Sequence, residues 1–337
     1  MISFFFPERA ARRVARRPLP HLLAALLLAI FAVPALAQDV VSGRVVKGGQ
    51  GVAGATVELH RVSSDTSGMV GRAMSGPGGA FQFTLPARAD TATFTVFFAA
   101  AMVDGVRYLG PALHPNQPGA GYLVQVYDTT SAQGAVDSLR VTRRDVIAVV
   151  GVKGGWEIAE AVRVENPGTR TVVGRGGTPV FGVSIPPGAS EFQTEQPLAG
   201  ASASTGGDVM LVGDRVVAAV PLVPGSRDFL FRYRVLGSRK PLALPISQAT
   251  DTLALYLRQP APNVTVEGLN DGTPFEAEGD RYLRFTGVRL RPGARVALRA
   301  SRPAGGVDPR LVAGAATLLV LGVGAFFALR RRPAAQG

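Results

Sequence analysis

Cysteine is absent from this chain of 337 residues, tryptophan occurs once and histidine three times. Without a thiol there is no disulfide framework, no thiolate zinc site and no lipidated cysteine, so stability has to come from ordinary apolar cores. The shortage of histidine narrows acid-base and metal chemistry in the same way. His21 falls in an N-terminal leader, which leaves His60 at the end of a predicted strand and His114 in the run Leu113-His114-Pro115. Neither belongs to a G-x-S-x-G or H-E-x-x-H pattern, and two histidines without a third ligand at suitable spacing make a poor zinc site. No catalytic, cofactor-binding or metal-ligating residue is assigned, and the expectation is a protein that is not an enzyme and carries no cofactor.

A concentrated basic surface is lacking too, although the formal charge is +12. Five arginines and one glutamate lie in the first 37 residues and three arginines in the last eight, so +4 and +3 belong to the ends and only +5 to the chain between. That remainder is spread out, with no cluster interleaved with aromatics, and nucleic acid is not an expected partner.

What the chain does have is one long apolar run. Leu311 to Leu329 contains no charge and, as a helix, would cover roughly 28 Å, close to the hydrocarbon thickness of a bilayer. Arg330, Arg331 and Arg332 follow at once and, by the positive-inside rule, place a tail of residues 330–337 in the cytoplasm. The N-terminus agrees with this topology. Arg9, Arg12, Arg13, Arg16 and Arg17 precede the apolar stretch His21 to Val33, and Ala35-Leu36-Ala37 offers a small-x-small cleavage site, which together read as a signal peptide over residues 1–37. An uncleaved anchor helix and a twin-arginine leader are the competing readings. The expected location is a single-pass membrane protein whose residues 38–310 lie outside the cytoplasm, in the periplasm or on the cell surface.

Those residues read as short strands punctuated by glycine and proline turns. Over 38–126, Val40 to Val46 reads as a strand, and Ala55 to Arg61 and Ala80 to Leu85 alternate with period two, the last putting Phe81, Phe83 and Leu85 on one face. Ala92 to Phe98 adds a strand with Phe94, Val96 and Phe98 alternating, and Ser63 to Gly68 reads as a polar turn. Gly49-Gln50-Gly51-Val52-Ala53-Gly54 satisfies the dinucleotide spacing G-x-G-x-x-G, but a strand pattern follows it instead of a helix, so a hairpin turn is expected. Residues 127–240 carry the apolar run Asp145 to Val152 and the stretch Trp156 to Glu165. That stretch contains good helix formers, yet it places Trp156, Ile158, Val162 and Val164 on one strand face. Phe229, Phe231, Tyr233 and Val235 alternate inward. Residues 241–302 continue in this style and either complete the second sandwich or form a third, followed by a linker at 303–310. The fold class expected is all-β: two or three tandem antiparallel β-sandwiches and one C-terminal transmembrane helix.

The first segment carries a resemblance. Gly43-x-Val45, then Gly51-Val52-Ala53-Gly54-Ala55-x-Val57-x-Leu59, then Gly76-x-Gly78-Gly79-x-Phe81-x-Phe83-x-Leu85-Pro86 resemble the carboxypeptidase regulatory-like domain. The resemblance implies a small transthyretin-like sandwich of the carbohydrate-binding-like group, in an accessory role without a catalytic domain. The whole layout is similar to bacterial envelope proteins of that kind. The function expected is a membrane-tethered, extracytoplasmic binding or scaffold protein whose partner is another envelope protein or a polysaccharide. The alternative is a carbohydrate-binding accessory module supporting a separate enzyme, for which Tyr108 and Tyr122, near Pro/Gly-rich loops, are the ligand-contact candidates. Glu276, Glu278 and Asp280 form one local acidic group after Asn270-Asp271-Gly272, read as a solvated hairpin rather than a calcium loop or a glycosidase pair.

Overall fold

The computed structural model describes residues 40–63, 66–85, 95–114, 121–151, 155–195, 209–236, 241–261, 263–277 and 279–300. The leader, the linker at 303–310, the apolar run 311–329 and the tail lie outside the described residues, among which no helix is long and apolar enough to cross a membrane. Within them the chain is all-β.

Eight strands build the N-terminal lobe: β1 (Val40–Lys47), β2 (Gln50–Gly51), β3 (Thr56–Ser63), β4 (Ser67–Met74), β5 (Ala80–Thr84), β6 (Thr95–Val103), β7 (Val106–Leu109) and β8 (Tyr122–Val126). One sheet has β1 at its centre, bonded to β2, β5 and β8; the other runs β4-β3-β6-β7. Alternation explains how they pack. Val41, Val45, Phe81, Phe83 and Val124 from the first sheet meet Val57, Leu59, Phe97, Ala99 and Tyr108 from the second in one buried cluster. The face presented by β6 differs from the simple alternation. Phe97, Ala99 and Ala101 take the core side, and Phe98 stacks on His60, ring centroids 5.3 Å apart, on the outer face. The strand is apolar on both faces, so its period alone could not choose between them. The polar turn expected at Ser63 to Gly68 is shorter than read, because β4 begins at Ser67 and pairs along β3.

The dinucleotide-like glycines form the β1–β2 hairpin, with positive φ at Gly48, Gly49 and Gly54, and they lead into strand β3. Pro77–Gly79 makes a single 3-10 turn, and Gly79 (φ 76°) presses on β1 so closely that an added Cβ would sit 2.2 Å from the Val45 carbonyl oxygen.

The rest forms a larger lobe from β9 (Thr129–Thr130), the one-turn helix α1 (Gln133–Asp137), β10 (Arg140–Val150), β11 (Gly155–Asn166), β12 (Thr171–Val172), β13 (Phe181–Ser184), β14 (Ala189–Glu195), β15 (Val209–Val212), β16 (Arg215–Ala218), β17 (Gly225–Leu236), β18 (Leu242–Pro245), β19 (Thr250–Arg258), β20 (Val264–Glu267), β21 (Thr273–Ala277), β22 (Asp280–Leu290) and β23 (Arg295–Ala300). A seven-stranded sheet, β14-β17-β11-β10-β19-β22-β21, is its frame. The small sheets β13-β16-β15 and β18-β23-β20 cover one face, and residues from all three layers share one core. The segments 127–240 and 241–302 therefore contribute to the same sheet and the same core. Trp156 to Glu165 is a strand, with Trp156, Ile158, Val162 and Val164 in that core.

The sheets are not purely antiparallel. β1 pairs β8 in parallel, and β10 pairs β19 in parallel from Val141↔Thr250 to Ala148↔Leu257. Parallel neighbours need a crossover, here supplied by the intervening strands, and central strands buried on both faces read as continuous apolar runs such as Val146 to Val150. The two lobes touch directly. The Tyr108 hydroxyl donates to the Tyr127 carbonyl at 2.8 Å and lies 3.1 Å from Thr171 Oγ1, and Lys47 Nζ pairs with Asp128 at 2.9 Å.

Candidate functional site

Ionisable groups meet on both faces of the seven-stranded sheet, and burial sorts them. On the covered face, Arg144 Nε and Nη2 donate to Glu160 at 2.8 and 3.1 Å, Nη1 donates to the Pro245 carbonyl at 2.8 Å, and the Tyr233 hydroxyl donates to Glu160 Oε1 at 2.5 Å. Burial opposes the charge on Arg144, but Glu160 outweighs it and raises the guanidinium pKa; burial, with the Glu160 charge, pushes the Tyr233 hydroxyl well above the usual tyrosine range. All three residues are almost wholly buried, so the network ties β10, β11 and β17 to the covering layer and is closed to substrate.

On the opposite face, register sets Asp145 beside Ala161 and Ala254, and Ile147 beside Ala159 and Tyr256. Arg143 Nε donates to Asp145 Oδ2 at 2.5 Å, and Arg163 grips Asp228 through two bonds of 2.7 and 2.6 Å. Burial pushes the Asp145 carboxyl above the usual range against the pull of Arg143, Arg163 and Arg284. Phe275, 40% exposed, stands 5.3 Å from the Tyr256 ring at the sheet's edge.

The residues singled out from sequence are placed elsewhere. Tyr108 and Tyr122 are 2% and 7% exposed, so neither offers a ring to a ligand. Tyr122 donates to the Pro111 carbonyl at 2.5 Å, accepts from the Ala99 amide at 3.1 Å and packs edge-on against Phe81. Burial pushes its hydroxyl pKa up to about 12. Both rings alternate with exposed neighbours, Arg107 and Leu123, and it is those neighbours that face solvent. Tyr122→Phe leaves the Ala99 amide without its partner in a closed core, and a loss of about 1–2 kcal/mol is expected in thermal unfolding; an unchanged midpoint would remove the hydroxyl's role.

His60 lies on the outer face of β3 with Glu58, which also accepts from Arg72 at 2.7 Å and Arg107 at 2.8 Å. Among the described residues, no group of three His, Asp or Glu side chains is placed to hold a metal. In the acidic segment, Asp280 at the start of β22 pairs with Arg258 at the end of the neighbouring β19 at 2.6 Å, and Glu278 lies outside the described residues.

A concave site lies among residues that no motif singles out. A cleft of about 660 Å³ opens between α1, the start of β10 and the sheet β13-β16-β15. Leu139, Val180 and Phe181 are among its lining residues but are almost wholly buried, so polar side chains supply much of its exposed lining. Arg215 Nη2 donates across the strand pair to the Gly182 carbonyl at 3.3 Å, and Gln248 Nε2 donates to the same oxygen. Gly182 makes room for this: a Cβ there would stand 3.1 Å from Arg215 Nη2. Arg140, on the other wall, gives Nη2 to Glu165 at 3.0 Å, and Asp137 accepts from Gln133 at 2.8 Å. Arg215 has no carboxylate in ion-pair range among the described residues. The residues that build the cleft are brought together across more than a hundred positions by the β13–β16 register and the loop before β19.

No family model matches the chain, and no curated protein matches it. Solved structures share a slight likeness with about half of it. A putative protease from Parabacteroides distasonis is 8% identical over 49% of this chain and 40% of that one, with a TM-score of 0.31. A two-domain M1 zinc metallopeptidase bound to L-tryptophan is 13% identical over 48% and 43%, at 0.30, and an M1 zinc metallopeptidase from Deinococcus radiodurans 12% identical over 48% and 42%, at 0.28. This chain spans less than half the length of each, and likenesses this slight carry no argument about its activity.

Proposed function

We propose that this chain is a non-enzymatic binding or scaffold protein of the bacterial cell envelope. In this reading two β-sandwich lobes, the first of the carboxypeptidase regulatory-like kind, stand outside the cytoplasm and are tethered by a helix over residues 311–329. The observation that supports binding is the cleft, which is within the size range of small-molecule sites and has Arg215 in its lining, bonded to the Gly182 carbonyl. The charged groups that could otherwise suggest chemistry, Arg144 and Glu160, are sealed in the core. The aromatic pair Tyr256 and Phe275 favours the second reading, a carbohydrate-binding accessory module, with its platform on the seven-stranded sheet in place of Tyr108 and Tyr122.

Fractionation tests the tether. The full chain is expected in the membrane fraction with its β lobes open to protease from outside, and a chain lacking residues 311–337 is expected in the soluble exported fraction. Retention of the shortened chain in the membrane would make the N-terminal leader an uncleaved anchor and overturn the C-terminal tether.

A further inference from the structure

We infer that the turn between β22 and β23 docks on the anionic headgroups of the bilayer that holds the chain. This rests on the tethered reading and adds to it a second contact, made by the β lobe itself. Charge, shape and chain length all favour that partner.

The even spread of charge breaks near the end of the chain, where residues 281–307 hold seven arginines and no carboxylate. At the turn, Arg289, Arg291 and Arg295 are all exposed, and none has a carboxylate in ion-pair range among the described residues. Neighbouring strands answer them only in part. Asp251 lies level with Arg289, between the pairs Thr250↔Leu290 and Thr252↔Val288. Glu267 is taken by Arg299 at 2.5 Å. Asp271 follows Asn270, whose amide bonds to the Thr286 carbonyl, so it lies further back along β22 with the exposed Arg284. Three arginines less one aspartate leave the turn at +2.

The turn is also held in place. The Gly293 amide donates to the Ile246 carbonyl at 2.7 Å, and the Ala294 amide to the Arg291 carbonyl at 3.0 Å. Val288, 62% exposed, and the exposed Pro292 stand among the arginines. Apolar groups set between guanidiniums suit a headgroup layer, where the first sit below the phosphates and the second bond to them. A soluble polyanion would answer the charge and leave Val288 in water. Chain length permits the contact. The six residues of β23 carry the chain about 20 Å from the turn to Ala300, and the ten residues 301–310 reach about 33 Å at full extension. The turn and the run 311–329 can therefore meet one bilayer.

The test places the full chain in nanodiscs of phosphatidylcholine alone or mixed with phosphatidylglycerol. Because the chain has no cysteine, Val288→Cys carries a single nitroxide whose exposure to a water-soluble nickel relaxant is read by electron paramagnetic resonance. Protection is expected to rise about fivefold or more with phosphatidylglycerol, roughly the factor that one basic residue near an anionic surface is worth, and to fall again at high salt. The triple change Arg289→Gln, Arg291→Gln and Arg295→Gln is expected to abolish the gain, and the same three changes to lysine to keep it. A label at Leu123→Cys, an exposed position in the smaller lobe, is expected to show no difference. Equal protection in the two lipids, protection that survives the glutamine triple, or an equal gain at position 123 would each overturn the assignment. So would protection by dextran sulfate in neutral nanodiscs where phosphatidylglycerol gives none, which would make the partner a soluble polyanion. Fractionation reads the tether independently, so equal protection in a membrane-bound, correctly oriented chain removes the headgroup contact and not the tethered reading.

Discussion

Replacing Arg144 with methionine should cost the larger lobe about 3–5 kcal/mol, the loss expected when one partner of a buried ion pair is removed. Glu160 would remain almost wholly buried between β10 and β17, with only the Tyr233 hydroxyl to answer its charge. The Pro245 carbonyl would lose a donor as well, so the sheet β18-β23-β20 loses its polar link to the frame. The arrangement is not proof of stabilisation by the pair itself, because desolvating two charges offsets much of their attraction. The triple change Arg144→Met, Glu160→Leu and Tyr233→Phe separates these effects: it removes the charges together and is expected to recover most of the loss. Thermal unfolding followed by circular dichroism reads both, and a single variant as stable as the parent would show that Glu160 finds water or another donor.

Gly79→Ala should be as damaging to the smaller lobe, at about 4 kcal/mol, the magnitude reserved for changes that collide with fixed structure. The added methyl would lie 2.2 Å from Val45 O and 2.9 Å from Val52 N. Those two atoms are themselves hydrogen bonded at 2.9 Å, so the carbon would drive into the bond that closes the β1–β2 hairpin. Gly54 makes the control. Its φ of 77° matches the 76° of Gly79, yet nothing lies within 4 Å of a Cβ built there. Gly54→Ala should therefore cost only the conformational part, about 1 kcal/mol. Equal losses at the two positions would mean that backbone angle and not contact governs both.

Much of the framework was legible because strand period and turn chemistry are local. Phe81, Phe83 and Leu85 enter the first core, and Phe229, Phe231 and Tyr233 the second, as their alternation requires. Trp156 to Glu165 is settled by the same logic, since a strand buries Trp156, Ile158 and Val162 together. The same reading passed over Glu160, which alternation puts on that buried face. A carboxylate there is intelligible only once Arg144 is seen to reach it from the neighbouring strand. β4 was missed because Ser-Gly-Met-Val-Gly-Arg-Ala-Met is an exposed edge with little periodicity.

The sites were less legible still. Tyr108 and Tyr122 stood near loops in sequence, but their hydroxyls are bonded inside the fold, and nearness to a turn says nothing about which side of the strand a ring occupies. The cleft depends on β13 lying against β16 and on Gln248 arriving from beyond β18, and no short window of sequence contains those neighbours.

The parallel pairing of β10 with β19 also bears on the order in which the chain can acquire structure. The smaller lobe has all its strands once residue 126 is available, whereas β10 keeps one long edge bare until residues 250–258 arrive to lie along it. That edge belongs to a strand whose second half, Val146 to Val150, is wholly apolar, and an unsatisfied apolar edge is a template for wrong partners. Its pairing spans more than a hundred residues, so closure is entropically slow. A chain delivered from its N-terminus would pass through a stage in which one lobe is complete and the other waits half-built, exposed to whatever chaperones or neighbouring chains share its compartment.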